Sequence, residues 1–184
     1  MFSEERVTQM AAYLLLKGGG RMPYIKLLKL LYIAERNAMA KWGESISGDR
    51  FVSMPHGPVL SQTYDLIQGH CGHESIWQRW ICDESHYEVS LASFVDQEDL
   101  DELSVAELKV LDDVYASFGH MGKFQLVGYT HDNFSEWQDP NGSSYPIRPE
   151  SILRAVGKSE EEIATILENL REQQQLENIR AKLR

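Results

Sequence analysis

Tyr24-Ile25-Lys26-Leu27-Leu28-Lys29-Leu30-Leu31-Tyr32-Ile33-Ala34-Glu35-Arg36-Asn37-Ala38-Met39-Ala40-Lys41-Trp42 is the stretch that decides the fold. At about 100° per residue, Leu27, Leu28, Leu31, Ala34, Ala38 and Trp42 share one broad helical face. Lys26, Lys29 and Arg36 gather opposite, and their stripe reads as a solvated face. Leu30 and Ile33 fall on or near that charged side. A helix with apolar residues all round is packed on more than one side, so this one is expected at the centre of the domain.

Working outward, Gly18-Gly19-Gly20 stops a preceding helix that carries Val7, Met10, Ala11, Leu14 and Leu15 at helical spacing. Ser3 is its N-cap; Arg6 stands where a full capping box needs Glu or Gln. Pro23 suits the first turn of the central helix, and Gly43 ends it. Arg50-Phe51-Val52 predicts a short strand or extended turn. Gly57-Pro58 is expected to start a helix over residues 59–68. Trp77, Trp80 and Ile81, then Tyr87, Val89 and Leu91, suggest two short strands turning at Asp83-Glu84-Ser85. An acidic linker follows over residues 96–102. Ser104 and Glu107 form a capping box for a helix ending at Gly119, and a shorter helix is expected over residues 124–131. Asp139-Pro140-Asn141-Gly142 is a turn-rich exit. Pro149 opens another short helix. A final helix begins at Ser159, capped by Glu162, with the stripe Ile163, Ile166, Leu167, Leu170. Gln173, Gln174 and Gln175 interrupt it before Leu176, Ile179 and Leu183. The fold class is α+β, a predominantly helical single domain with a small antiparallel β element and a C-terminal helical extension. The division is expected at residues 1–145 and 146–184.

Charge is unevenly spread in a chain whose formal net charge is -10. Residues 83–113 hold eleven Asp/Glu against Lys109 alone. Phosphate backbones need a basic surface, so nucleic acid is not an expected partner; a basic protein is. Cys71 and Cys82 are too few for a disulfide scaffold, which points to a reducing, cytoplasmic compartment. Residues 1–17 begin with acidic Glu4 and Glu5 and have only a short apolar run, so neither a signal peptide nor a membrane span is expected.

Three clusters in order match a known pattern: Lys26-Leu27-Leu28-Lys29-Leu30-Leu31-Tyr32, then Gly48-Asp49-Arg50-Phe51, then Gly57-Pro58-Val59. Leu103-Ser104, Tyr115-Ala116-Ser117-Phe118-Gly119 and His131 six residues before Trp137 continue it. Over roughly residues 5–145 the chain resembles the Panacea antitoxin-domain family, which includes SocA-like antitoxins and GepA-like phage-associated proteins. The resemblance implies a bacterial toxin–antitoxin system whose antitoxin contacts its cognate toxin. It also implies an adaptor that delivers the toxin to a protease. It brings no catalytic residues and no cofactor, and the expectation is a non-enzyme.

The residues also offer the elements of other chemistry. Cys71, His73, Cys82 and His86 could supply a Cys₂His₂ zinc set, but Cys71-x-His73 is tighter than the usual spacer. A hydrolase built on His120 or His131 with Asp132 and Ser135 has no Gly-x-Ser-x-Gly elbow to support it. Candidate partner-binding residues are Arg50, Phe51 and His56 near the first strand, and Leu176, Ile179 and Leu183 on the last helix. That tail could dock on a toxin, pack on its own domain, or join a second copy in a homo-oligomer.

Overall fold

The computed structural model describes residues 1–70 and 75–182. It is α+β and mostly helical, with two three-stranded antiparallel sheets. The elements are α1 (Glu4–Lys17), β1 (Arg21–Pro23), α2 (Tyr24–Trp42), β2 (Phe51–Met54), β3 (Gly57–Leu60), α3 (Ser61–Ile67), α4 (Ile76–Trp80), β4 (Ile81–Glu84), β5 (Glu88–Leu91), α5 (Val105–Phe118), α6 (Lys123–Asn133), β6 (Tyr145–Ile147), α7 (Pro149–Ala155) and α8 (Glu160–Lys182). The sheets run β1-β5-β4 and β3-β2-β6. Among the described residues, no helix is long and apolar enough to cross a membrane.

The central position expected for α2 is what the structure shows. It touches α1, α3, α5, α6, α7, β1 and β3. Leu27, Leu28, Leu30, Leu31, Ile33, Ala34, Ala38 and Met39 are all buried. The charged stripe is not solvated, contrary to the reading of Lys26, Lys29 and Arg36. Lys29 is 1% exposed and donates to the Pro58 carbonyl at 2.7 Å. Lys26 donates to the Gly119 carbonyl at the end of α5, 2.6 Å away. Arg36 bonds Glu136 at 2.7 Å and lies over the Phe134 ring. Over residues 27–35 so many neighbours surround α2 that no side of it is left for water, although Trp42 at its end, read as part of the apolar face, is 42% exposed. Its polar groups are therefore matched inside the protein, as burial demands.

Four other features differ from expectation, and long-range contacts explain two of them. The helix expected from Gly57-Pro58 starts later, at Ser61, because β2 and β3 pair as a hairpin with Val52 opposite Val59. No side chain next to α3 caps it. Asp49 does so from a distance, accepting from the amides of Gln62 at 2.9 Å and Thr63 at 2.8 Å. Trp77 and Trp80 lie on the single turn α4 rather than on a strand. Its cap is Glu4 of α1, which accepts from Ser75 Oγ and from the Trp77 amide. The β4–β5 turn falls at Ser85–Tyr87 instead of Asp83-Glu84-Ser85, with His86 and Tyr87 both at positive φ. Pro23 closes β1, a strand the sequence did not announce, instead of opening α2.

The two capping boxes read from sequence are present at Ser104/Glu107 and Ser159/Glu162. α8 continues through Gln173–Gln175 to Lys182. β6 pairs with β2, Ile147 opposite Phe51, and α7 buries Ile152 and Leu153, so the chain is continuous with the core across residue 145. Gly43 ends α2 at φ 81°, and a Cβ there would meet the Ile166 side chain at 3.0 Å. The same glycine thus terminates α2 and seats α8.

Glu35 is the deepest carboxylate, accepting from the Ile46 amide at 2.5 Å, the Ser47 amide at 2.8 Å and the Ser47 hydroxyl. Burial raises its pKa, and these donors oppose the rise. Glu35→Ala strands all three donors, and should cost about 3 kcal/mol of unfolding free energy in urea titration. A loss near zero would mean that the Ile46–Ser47 loop is held by other contacts.

Candidate functional site

The candidate partner-binding residues fall on three separate surfaces. Arg50 and Phe51 line a groove of about 630 Å³. Phe51 itself is 6% exposed, fixed by its place on β2 between Leu60 and Ile147 and by an edge contact with Tyr32. Arg50, one residue earlier, is exposed at the rim. Met39, Val52 and Ile147 add to the apolar lining, and Leu167 and Leu170 of α8 close the far wall. Arg50, Arg148 and Arg171 line it too, along with Glu44 and Glu150. Among the described residues, none of these three guanidiniums is bonded to a carboxylate, whereas Arg6, Arg21, Arg36 and Arg154 all are.

His56 is exposed at the turn between β2 and β3 and opens on a different, smaller pocket of about 150 Å³. Tyr24, Ile25, Leu28 and Lys29 from α2, Met54, Pro55 and Val59 from the hairpin, and Tyr64 from α3 complete it.

Leu176 and Ile179 are 56% and 55% exposed on the distal part of α8. At about 100° per residue they lie on the opposite side of the helix from Ile163, Leu167 and Leu170, which face the body. The two apolar stripes of α8 therefore cannot both rest on the same surface. Leu183 lies outside the described residues.

The zinc candidates are only partly described. Cys82 on β4 and His86 at the following turn are both exposed, and His86 Nδ1 is 3.0 Å from Ser85 Oγ. Cys71 and His73 lie outside the described residues. Among the described residues, no group of three or more His, Cys, Asp or Glu could hold a metal ion. His131 stacks face to face on Trp137, with ring centroids 3.8 Å apart. Trp137 in turn donates from Nε1 to the Met54 carbonyl at 3.0 Å. Burial, then the charge of Lys29, hold the His131 pKa below its ordinary value. His131 Nε2 is buried without a hydrogen-bond partner among the described residues.

The reading of the sequence missed the smaller pocket. The stripe of Lys26, Lys29 and Arg36 reads as solvated, which leaves Lys29 on the surface instead of among the residues that line it. The available signal was Leu30 and Ile33 beside Lys29, which already said that this side of α2 is covered.

Burial alone pulls the Lys29 pKa down to about 7, against 10.5 for a free lysine. Between those values the unfolded chain binds the proton that the folded chain has released, so stability rises with pH. The slope contributed is at most about 1.4 kcal/mol per pH unit. Melting temperature should climb from pH 7 to 9, and Lys29→Met should flatten that climb. A parallel profile in the variant would show that the amine is not the titrating group.

Comparison with known proteins gives one match. A family model described as "Antitoxin SocA-like, Panacea domain" covers residues 27–138. No curated protein and no solved structure matches the chain.

Proposed function

The chain belongs to the SocA-like Panacea antitoxin family, and from that premise we propose that it neutralises a cognate toxin by binding it directly. The match over residues 27–138 carries the reading. It takes in α2, the β2–β3 hairpin and the α5–α6 pair, the elements that hold the core together. The surfaces that remain suit a binding role. One is the groove between β2, β6, α7 and α8, apolar within and edged by unpaired arginines. The other is the outward stripe of α8, where Leu176 and Ile179 are more than half exposed. Aliphatic residues at i and i+3 on an exposed helix are a recurrent way to enter a partner's groove. Blocking of this kind needs apolar burial and charge complementarity rather than a reactive side chain. The acidic stretch over residues 83–113 would steer a basic toxin toward the protein.

Co-expression with the product of the adjacent gene tests this directly. The neighbour should arrest growth alone, be harmless alongside this chain, and copurify with it. A neighbour that is harmless alone, or stays toxic and unbound, sinks the proposal. Protection that disappears in a host lacking its cytosolic proteases would replace the blocker by an adaptor. In the purified complex, replacing Leu176 and Ile179 by Glu should weaken toxin binding at least tenfold with no change in melting temperature. Unchanged affinity would move the contact off α8. The association rate should fall as salt is raised, and a flat salt dependence would remove the steering role of the acidic stretch.

A further inference from the structure

The groove and the loop between β5 and α5 carry opposite charge, and each presents apolar surface with it. In the groove, Arg50, Arg148 and Arg171 are exposed, and none is bonded to a carboxylate among the described residues. Two of the acids beside them are engaged elsewhere. Asp49 is buried and accepts from the amides of Arg50, Gln62 and Thr63 and from the Thr63 hydroxyl. Arg154 has its pKa raised by Glu160 first and by Glu150 after it, so Glu150 also has a cation of its own. Glu44 is left against three guanidiniums, and an acidic protein thus holds a locally cationic groove. Between the charges, Val52, Ile147, Leu167 and Leu170 make its lining apolar.

The β5–α5 loop has the reverse pattern. Phe94 is 86% exposed, and it lines a depression of about 420 Å³ with Trp80, Arg79, Glu98, Asp99 and Asp101. The three acids are exposed, and none is ion-paired among the described residues. Asp99 accepts from the Asp96 amide and Asp101 from Gln9 Nε2, both at 2.8 Å, bonds that hold the loop without neutralising it. The two patches are neighbours. Arg6 of α1 donates from Nε to the Ile46 carbonyl and from Nη1 to the Glu102 carbonyl, each at 2.8 Å. One guanidinium therefore joins the loop that runs on to Gly48 and Arg50 to the end of the acidic loop.

We propose that the occupant of the groove is a second copy of this chain: Phe94 of each protomer enters the apolar groove of the other, and Glu98 and Asp99 meet Arg148 and Arg171. Adjacent patches of opposite charge suit a two-fold axis, which lays each on its counterpart and closes both contacts at once. Guanidinium and carboxylate pair through two hydrogen bonds, and the ring leaves water for an aliphatic lining. The groove, at about 630 Å³, has room for it. This goes beyond the antitoxin reading and does not depend on it.

Sedimentation equilibrium of the full chain tests the proposal. The chain should sediment at twice its sequence mass, and added salt should weaken the association. Arg148→Glu with Arg171→Glu should be monomeric, and so should Glu98→Arg with Asp99→Arg. Mixed in equal amounts, the two variants should dimerise again. One contact then pairs a reversed groove with a reversed loop, and the other is untouched. Recovery on mixing is a result that misfolded variants could not give. Phe94→Ser should weaken the dimer at least tenfold without lowering the melting temperature. A wild-type chain that stays monomeric at about 1 mM, where even a weak dimer assembles, overturns the proposal. Charge-reversed variants that remain dimeric, or that fail to recover when mixed, overturn it too. A dimer lost only with Leu176→Glu and Ile179→Glu would move the second copy from the groove to α8. A monomeric chain whose toxin complex is lost on reversing Arg148 and Arg171 would give the groove to the toxin instead.

Discussion

A helix buried on every side through its middle must bring the polar residues there into the core with it, and that constraint on α2 shapes the rest of this protein. α2 carries Lys26, Lys29, Tyr32, Glu35 and Arg36 among its leucines. Each is placed against a defined partner: the Gly119 carbonyl, the Pro58 carbonyl, Glu136, the Ile46–Ser47 loop, and Glu136 again. Leaving any of these unmatched would cost more than the bond itself gains, so the pairing is obligatory. The consequence is geometric. The hairpin, the loop after α2, the end of α5 and the chain after α6 are all pinned to one helix, and the surfaces they form are pinned with them.

Carboxylates acting at long range do much of this pinning. Asp49 caps α3 from thirteen and fourteen residues away, and Glu4 caps α4 from more than seventy. A cap from a neighbouring residue helps a helix form wherever the chain happens to be. A cap from a distant element helps it form only once that element is docked. The short helices α3 and α4 are too small to persist alone, so they are tied to completion of the fold.

The small pocket and the large groove relate differently to the span that the family model matches. The small pocket is built from residues 24–64, almost wholly inside the matched span. The large groove has one wall from that span and another from α7 and α8, beyond residue 138. A shared core with a wall contributed from outside it is a physical way for one scaffold to present different surfaces to different partners. The acids that line the groove, Glu44, Asp49 and Glu150, equal its three arginines in number, while the lining of the small pocket has no acid.

Sequence by itself determined the helices whose signals are local: α1 stopped by Gly18, α5 and α8 with their reciprocal caps, α7 opened by Pro149, and α2 as the apolar centre. The cluster spacing from Lys26 to Trp137 also made the family legible. Tertiary structure alone decided where α3 and α4 begin, that β1 and β6 exist, and that Lys29 lies inside. A three-residue strand has no periodicity to read until its partner is beside it. The candidate surfaces were hidden for the same reason. Arg50 and Leu170 are 120 positions apart and share a groove, whereas Arg50 and His56 are six apart and do not, because a hairpin sends its two ends to different sides of the protein.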